Sequence, residues 1–252
     1  MVTAQQLLQS FDSLLAPERF KDYGPNGLQV EGRPQVQRLV SGVTASRALI
    51  EAAIQAGADA IFVHHGLFWR GQDARVTGWM KQRLALLLGH DINLFAYHLP
   101  LDAHPELGNN AQLGLQLGLA ADSRFGDQDL GFLGTPTHGA AFDDAQSLGQ
   151  HVEQALGRAV TWVAGDGRQL RRIAWCSGGA QSYFEAAIAA GADAFITGEM
   201  SEPQVHYARE CGVAFIACGH HASERYGAPA VAGHVAAQLG IAHQFIDISN
   251  PA

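Results

Sequence analysis

EAAIQAGADAIFVHHG, residues 51–66, returns as EAAIAAGADAFITGEM at residues 185–200. From Glu51 to Ala60 the two copies differ at one position, Gln55 against Ala189. Each copy reads as a helix closed by glycine and followed by a short apolar run. Ser46 is a suitable N-cap for the first helix, over roughly 47–56, and Gly57 a suitable C′ residue. The apolar run Ala60–Val63 reads as a buried strand whose C-terminal tip carries His64 and His65. Neighbouring residues on a strand point to opposite faces. If the strand ends at Val63, the two imidazoles can splay and address two ions.

Further along, YHLPLD at 97–102 matches GHHASE at 219–224, which sets His98 against His220 and Asp102 against Glu224. The same spacing sets QLGLA at 116–120 against QLGIA at 238–242. One deletion reconciles this spacing with that of the first pair, because the first half carries extra residues around Arg70–Arg83. A long repeat with one indel predicts a duplicated β/α unit. The expected fold is α/β, with two pseudo-symmetric lobes at 1–125 and 171–252 and a metal site between them. Residues 126–170 would be a connector that adds edge structure.

The remaining elements follow from local pattern. Residues 3–15 form an amphipathic helix with Leu7, Phe11 and Leu14 among its apolar positions. Pro17 to Gly32 is rich in glycine and proline and reads as loop or short strand. Strands are expected at Arg38–Val43, in the run Ile92–Tyr97, at Ile173–Cys176 and at Ala214–Cys218, with a helix near Ala145–Leu156.

Composition narrows the function classes. The 252 residues are 47% apolar and carry a net charge of −8, which gives ample core but no basic block for nucleic acid. The start, MVTAQQLLQSFDSLL, lacks the basic and apolar regions of a signal peptide, and no apolar run is long enough to span a bilayer. Cys176, Cys211 and Cys218 are odd in number and show no CxxC spacing, so a reduced, cytoplasmic protein is expected.

Three constellations could carry chemistry: His64-His65, His98-x-x-x-Asp102 and His220-x-x-x-Glu224. Each follows a predicted strand, and in open α/β sheets sites form at the carboxyl ends of strands. The i, i+4 spacing places both donors on one face if the segment turns helical. Histidines with carboxylates suit zinc, iron or manganese better than calcium or magnesium. Glu199, at the repeat position of His65, and His98 are candidate proton shuttles. Ser177-Gly178-Gly179, between strand and helix, could offer backbone N–H groups to an anion. Phe68 and Trp69 could stack a planar substrate, and Arg225 could meet a phosphate. His104, His138 and His206 read as solvated or supporting.

In order along the chain, PNGLQVEG, VHHG, YHLPLDAHPELGNNAQLG, AWCSGG, DAFITGE and GHHASER resemble the Nif-three-like dinuclear metal-binding family. Bacterial members of that family are labelled GTP cyclohydrolase I type-two homologues. The resemblance implies a two-lobed α/β subunit, two divalent metal ions per subunit, and a homohexameric ring with the metal sites facing its cavity. By motif, the implied metal ligands are His64, His65, Asp102, His220 and Glu224, with Glu224 bridging. His98 would lie close to the metals, and Asn26 would stand at the family's usual Asp or Asn position. The family label implies hydrolysis of a nucleotide-like substrate. Two other readings stay open: a non-catalytic metal-binding or metal-delivery protein, and an interaction scaffold braced by metal.

Overall fold

The computed structural model describes residues 2–137 and 139–252, so His138 lies outside the described residues. The chain divides into two compact units, Met1–Gly108 with Gly227–Ser249, and Asn109–Tyr226 with Asn250–Ala252. These limits differ from the expected 1–125, 126–170 and 171–252. The first boundary falls at Gly108, the expected connector belongs wholly to the second unit, and the last helix and strand return to the first.

In chain order the first unit begins with β1 (Val2–Thr3), α1 (Ala4–Leu15), β2 (Gly27–Val30), β3 (Gln35–Val36) and β4 (Arg38–Thr44). It continues with α2 (Arg47–Gln55), β5 (Ala60–His65), α3 (Gly78–Gly89), β6 (Asn93–Ala96) and α4 (Leu99–Ala103). The second unit holds α5 (Asn109–Gln116), β7 (Leu119–Phe125), β8 (Gly131–Pro136), α6 (Ala145–Leu156), β9 (Thr161–Val163) and β10 (Ile173–Trp175). After these come α7 (Phe184–Ala189), β11 (Ala194–Thr197), α8 (Glu202–Cys211), β12 (Ala214–Ala217) and α9 (His220–Glu224). The chain then re-enters the first unit as α10 (Gly227–Leu239) and β13 (Ala242–Phe245).

The first unit is built on a five-stranded sheet of order β13-β4-β5-β6-β2. Strands β4, β5 and β6 run parallel, as does β13 beside β4, and β2 closes the far edge antiparallel. Central β5 is buried on both faces, which explains its unbroken apolar run. Its side chains alternate: Ala60 and Phe62 pack with α1 and α10, while Ile61 and Val63 pack with Leu49, Ile50 and Leu87 of α2 and α3. The α1 helix docks through Leu7, Phe11 and Leu15, and starts with a capping box between Thr3 and Gln6. Ser46 caps α2 by accepting from the Leu49 N–H, and Gly57 follows with φ +69°, as its sequence implied.

The second unit has a six-stranded sheet of order β7-β8-β10-β11-β12-β9. Its core, β10-β11-β12 in chain order, is parallel within itself, as β4-β5-β6 is in the first unit. Antiparallel β8 and β9 flank this core. Residues 126–170 are thus sheet flanks and a packed helix. One sheet face buries Trp175, Ile196 and Ile216 under α5 and α6, and on the other Phe195 and Phe215 meet edge-on, with Phe184 of α7 packed against both.

Phe11 sits fully buried with its ring centroid 4.5 Å from that of Phe62 and 5.6 Å from that of Phe95. Phe11→Ala should therefore cost about 3–5 kcal/mol in a denaturant titration. The exposed Leu115→Ala should stay within about 0.5 kcal/mol of wild type. Equal costs at the two positions would contradict this packing.

Candidate metal centre

The first donor set lies at the carboxyl edge of the first unit's sheet. Strand β5 continues through His65, so the expected strand end at Val63 is corrected, and His65 pairs in register with Thr44. The histidines instead lean to opposite neighbouring strands. His64 Nδ1 lies 3.2 Å from the Tyr97 carbonyl oxygen just past β6, and His65 Nδ1 lies 3.1 Å from Thr44 Oγ1 on β4. Their ring centroids are 4.4 Å apart. His98, between β6 and α4, joins them: one donor atom from each of the three rings lies within 4.8 Å of the others. Asp102 is buried in α4, with Oδ1 3.5 Å from His64 Nε2.

A loop before β2 supports this set. Asp22 Oδ1 accepts from His98 Nδ1 at 2.7 Å, and Asp22 Oδ2 accepts from the Leu99 N–H and from Asn26 Nδ2, both at 2.9 Å. Burial raises the Asp22 carboxyl, but the His98 hydrogen bond and charge, with the Asn26 and Leu99 bonds, bring it down to about 2. Asn26 spends its oxygen on the His98 N–H and so orients the backbone there. Trp69 stands edge-on to His98, with ring centroids 5.0 Å apart, and the Gln29 side chain pins its loop through the Leu67 N–H. Asn26, His64, Trp69 and His98 line a cavity of about 10 Å³, the size of one water.

The second donor set belongs to the second unit. His220 opens α9 and Glu224 follows one turn later, with His220 Nε2 3.2 Å from Glu224 Oε2. Glu199, after β11, lies 2.6 Å from His220 Nδ1. The Glu224 hydrogen bond lifts His220 to about 9 against its burial, with Glu199 adding to the effect. Two glycines make room. A Cβ on Gly178 would fall 2.1 Å from Glu224 Oε1, and one on Gly198 would fall 2.6 Å from His220 Cα. Gly178 is also in the left-handed region at φ +69°, where a side chain adds strain.

Other expectations are corrected here. The Ser177 and Gly178 N–H groups donate to Asn110 Oδ1 and Ser223 Oγ at 2.7 and 2.9 Å, so these two donors of the turn are spent on the protein and not on an anion. The Arg225 guanidinium donates to the Leu156 carbonyl and meets Tyr226, which holds it against α6. As read from the sequence, His206 is a surface residue, paired with Glu202, and His104 plays a supporting part, its Nδ1 accepting from the Leu107 N–H. Sequence reasoning missed Asp22. Its only signal was a lone acid five residues before Gly27, inside a Gly- and Pro-rich loop.

All four imidazoles share one arrangement. Nδ1 is engaged by the Tyr97 carbonyl in His64, the Thr44 hydroxyl in His65, Asp22 in His98 and Glu199 in His220. Nε2 is then the nitrogen each ring can offer to a metal, the pattern of supported metal-binding histidines. These residues fit a divalent transition metal by donor type and by ring orientation.

Fold and donors together define an α/β protein with residue clusters able to hold metal. The profile of the Duf34/NIF3 (NGG1p interacting factor 3) family matches residues 2–251. A Pseudomonas aeruginosa protein named GTP cyclohydrolase 1 type 2 homolog is 51% identical, covering 100% of this chain and 99% of that protein. An Escherichia coli K12 protein of the same name is 46% identical over 98% of each chain. Among solved structures, one described as protein ybgI, unknown function, superposes with TM-score 0.95 at 45% identity over the whole of both chains. A Thermus thermophilus protein superposes with TM-score 0.88 at 30% identity, also over the whole of both chains. The chain belongs to the Duf34/NIF3 family. None of its described helices is long and apolar enough to cross a membrane.

In metal-free protein the raised pKa of His220 fixes a sign. A histidine lifted from 6.5 to about 9 contributes its full stabilisation below pH 6.5 and loses it as pH rises through 9. Urea midpoints of chelator-treated protein should fall across that window, and His220→Gln should remove this component of the slope. An identical slope in wild type and variant would contradict the pairing.

Proposed function

We propose that this chain holds two divalent metal ions per subunit through His64, His65, Asp102, His220 and Glu224, and hydrolyses a nucleotide-like substrate. The observation that carries the reading is the engagement of Nδ1 in every imidazole of the two donor sets. The names of its relatives, GTP cyclohydrolase 1 type 2 homolog, supply the substrate class. When bound, two ions would polarise the scissile bond and acidify water. The chain's own part is to orient and to move protons. The Tyr97 carbonyl fixes His64, Thr44 fixes His65, and Trp69 walls the approach to His98. His98 and Glu199 are the groups proposed to accept and return protons. Glu199 is half-exposed, which keeps it in exchange with solvent.

The test is a screen of metal-loaded protein against purine nucleotides, their damaged forms and phosphodiesters. Turnover should vanish with a chelator and return with added metal. Glu224→Gln should lower kcat/KM by more than the ~10–100-fold typical of groups that only support ligands. Metal-loaded wild type that turns over nothing in the panel, yet passes metal to an apo-acceptor, would replace hydrolysis with metal delivery.

A further inference from the structure

We infer that Asp22 and Glu199 are matched positioning residues, one for each donor set. Asp22 orients His98 and Glu199 orients His220, so that in the metal-loaded protein each ring carries its proton on Nδ1 and turns Nε2 into its donor set, as a ligand in His220 and as the proton-exchanging nitrogen in His98. The inference rests on the metal reading above and adds residues to it.

Asp22 carries the stronger argument. Its side chain is only 4% exposed, and a buried carboxylate is costly unless its oxygens are filled. They are filled. The Tyr23 N–H and His98 Nδ1 meet Oδ1, and Asn26 Nδ2 and the Leu99 N–H meet Oδ2. A carboxylate receiving that many donors acts as an acceptor only, so the proton shared with His98 belongs to the imidazole Nδ1. The same loop grips the His98 backbone, where Asn26 Oδ1 accepts its N–H at 2.8 Å. The Asp22 bond thus fixes the ring of His98 while the Asn26 bond fixes its main chain.

Glu199 plays the same part with less support around it. It reaches His220 Nδ1 at 2.6 Å, and its other oxygen meets the Gln181 amide at 3.4 Å. The remaining two rings rest on neutral acceptors, the Tyr97 carbonyl and the Thr44 hydroxyl. Each donor set therefore combines a His-x-x-x-acid segment with one further carboxylate behind its histidine. A carboxylate behind a ligating imidazole fixes the tautomer and raises ligand basicity.

The experiment uses full-length protein with zinc as the probe. Zinc affinity is read by competition with a chromophoric chelator for wild type, Asp22→Asn and Glu199→Gln. Long-range proton–nitrogen NMR of the zinc-loaded protein reads which ring nitrogen carries the proton. Glu199→Gln should weaken zinc by ~10–100-fold, and Asp22→Asn, which acts on a ring beside the ligands, by a smaller factor above twofold, with circular dichroism unchanged. In wild type, His98 and His220 should show the proton on Nδ1. Glu199→Gln keeps the proposal falsifiable if Asp22→Asn disturbs its loop, because Glu199 is half-exposed. Tight zinc binding within twofold of wild type in both variants, or a proton on Nε2, would overturn the positioning role. Wild type that binds no zinc would overturn the metal reading itself.

Discussion

The hydrogen bond from His64 Nδ1 to the Tyr97 carbonyl, 3.2 Å long, joins sheet and site in the first unit. It depends on β5 and β6 lying parallel and in register, with Val63 opposite Ala96, so that both strands deliver their last residues to one edge. That register depends in turn on the two-sided burial of β5 between Phe62 on one face and Ile61 and Val63 on the other. A one-residue slip would turn every side chain of the strand to the wrong face. The buried core thus holds His64 in place, and His65 follows through its pairing with Thr44.

The second unit reaches a similar end by close approach. Its parallel strands β10, β11 and β12 end in turns whose glycines leave space for α9. Gly178 and Gly198 matter here because a methyl group at either would strike Glu224, His220 or the facing backbone. The Ser-Gly-Gly stretch resembles an anion-binding turn in sequence. Its Ser177 and Gly178 N–H groups are consumed by Asn110 and Ser223, and close approach of the chain explains Gly178 better.

Much of this was legible beforehand. The 51–66 and 185–200 copies pointed to an α/β fold, and α1, α2 and α6 follow their caps and apolar periodicity to within a residue or two. Three features were not legible. Helix α3 buries Met80 and Leu87, but Trp79, Ala85, Leu86 and Leu88 place further apolar residues around its circumference, so no clean apolar stripe announces it. The return of α10 and β13 to the first unit is a long-range pairing, of β13 with β4, that no local pattern encodes. Asp22 acts through a hydrogen bond to a residue 76 positions away, in a segment with no periodicity. The candidate donors and Glu199 were singled out from spacing and repeat position, whereas Asp22, the Tyr97 carbonyl and the Thr44 hydroxyl behind the other rings required coordinates.

The two donor sets of supported imidazoles and carboxylates could hold metal, and the proposal is that they do. Elemental analysis of protein purified without added metal, then titrated with zinc, tests it most directly. The account predicts two equivalents of transition metal per chain, falling below two in both His64→Gln and Glu224→Gln. A chain that carries no metal and takes up no zinc would contradict it.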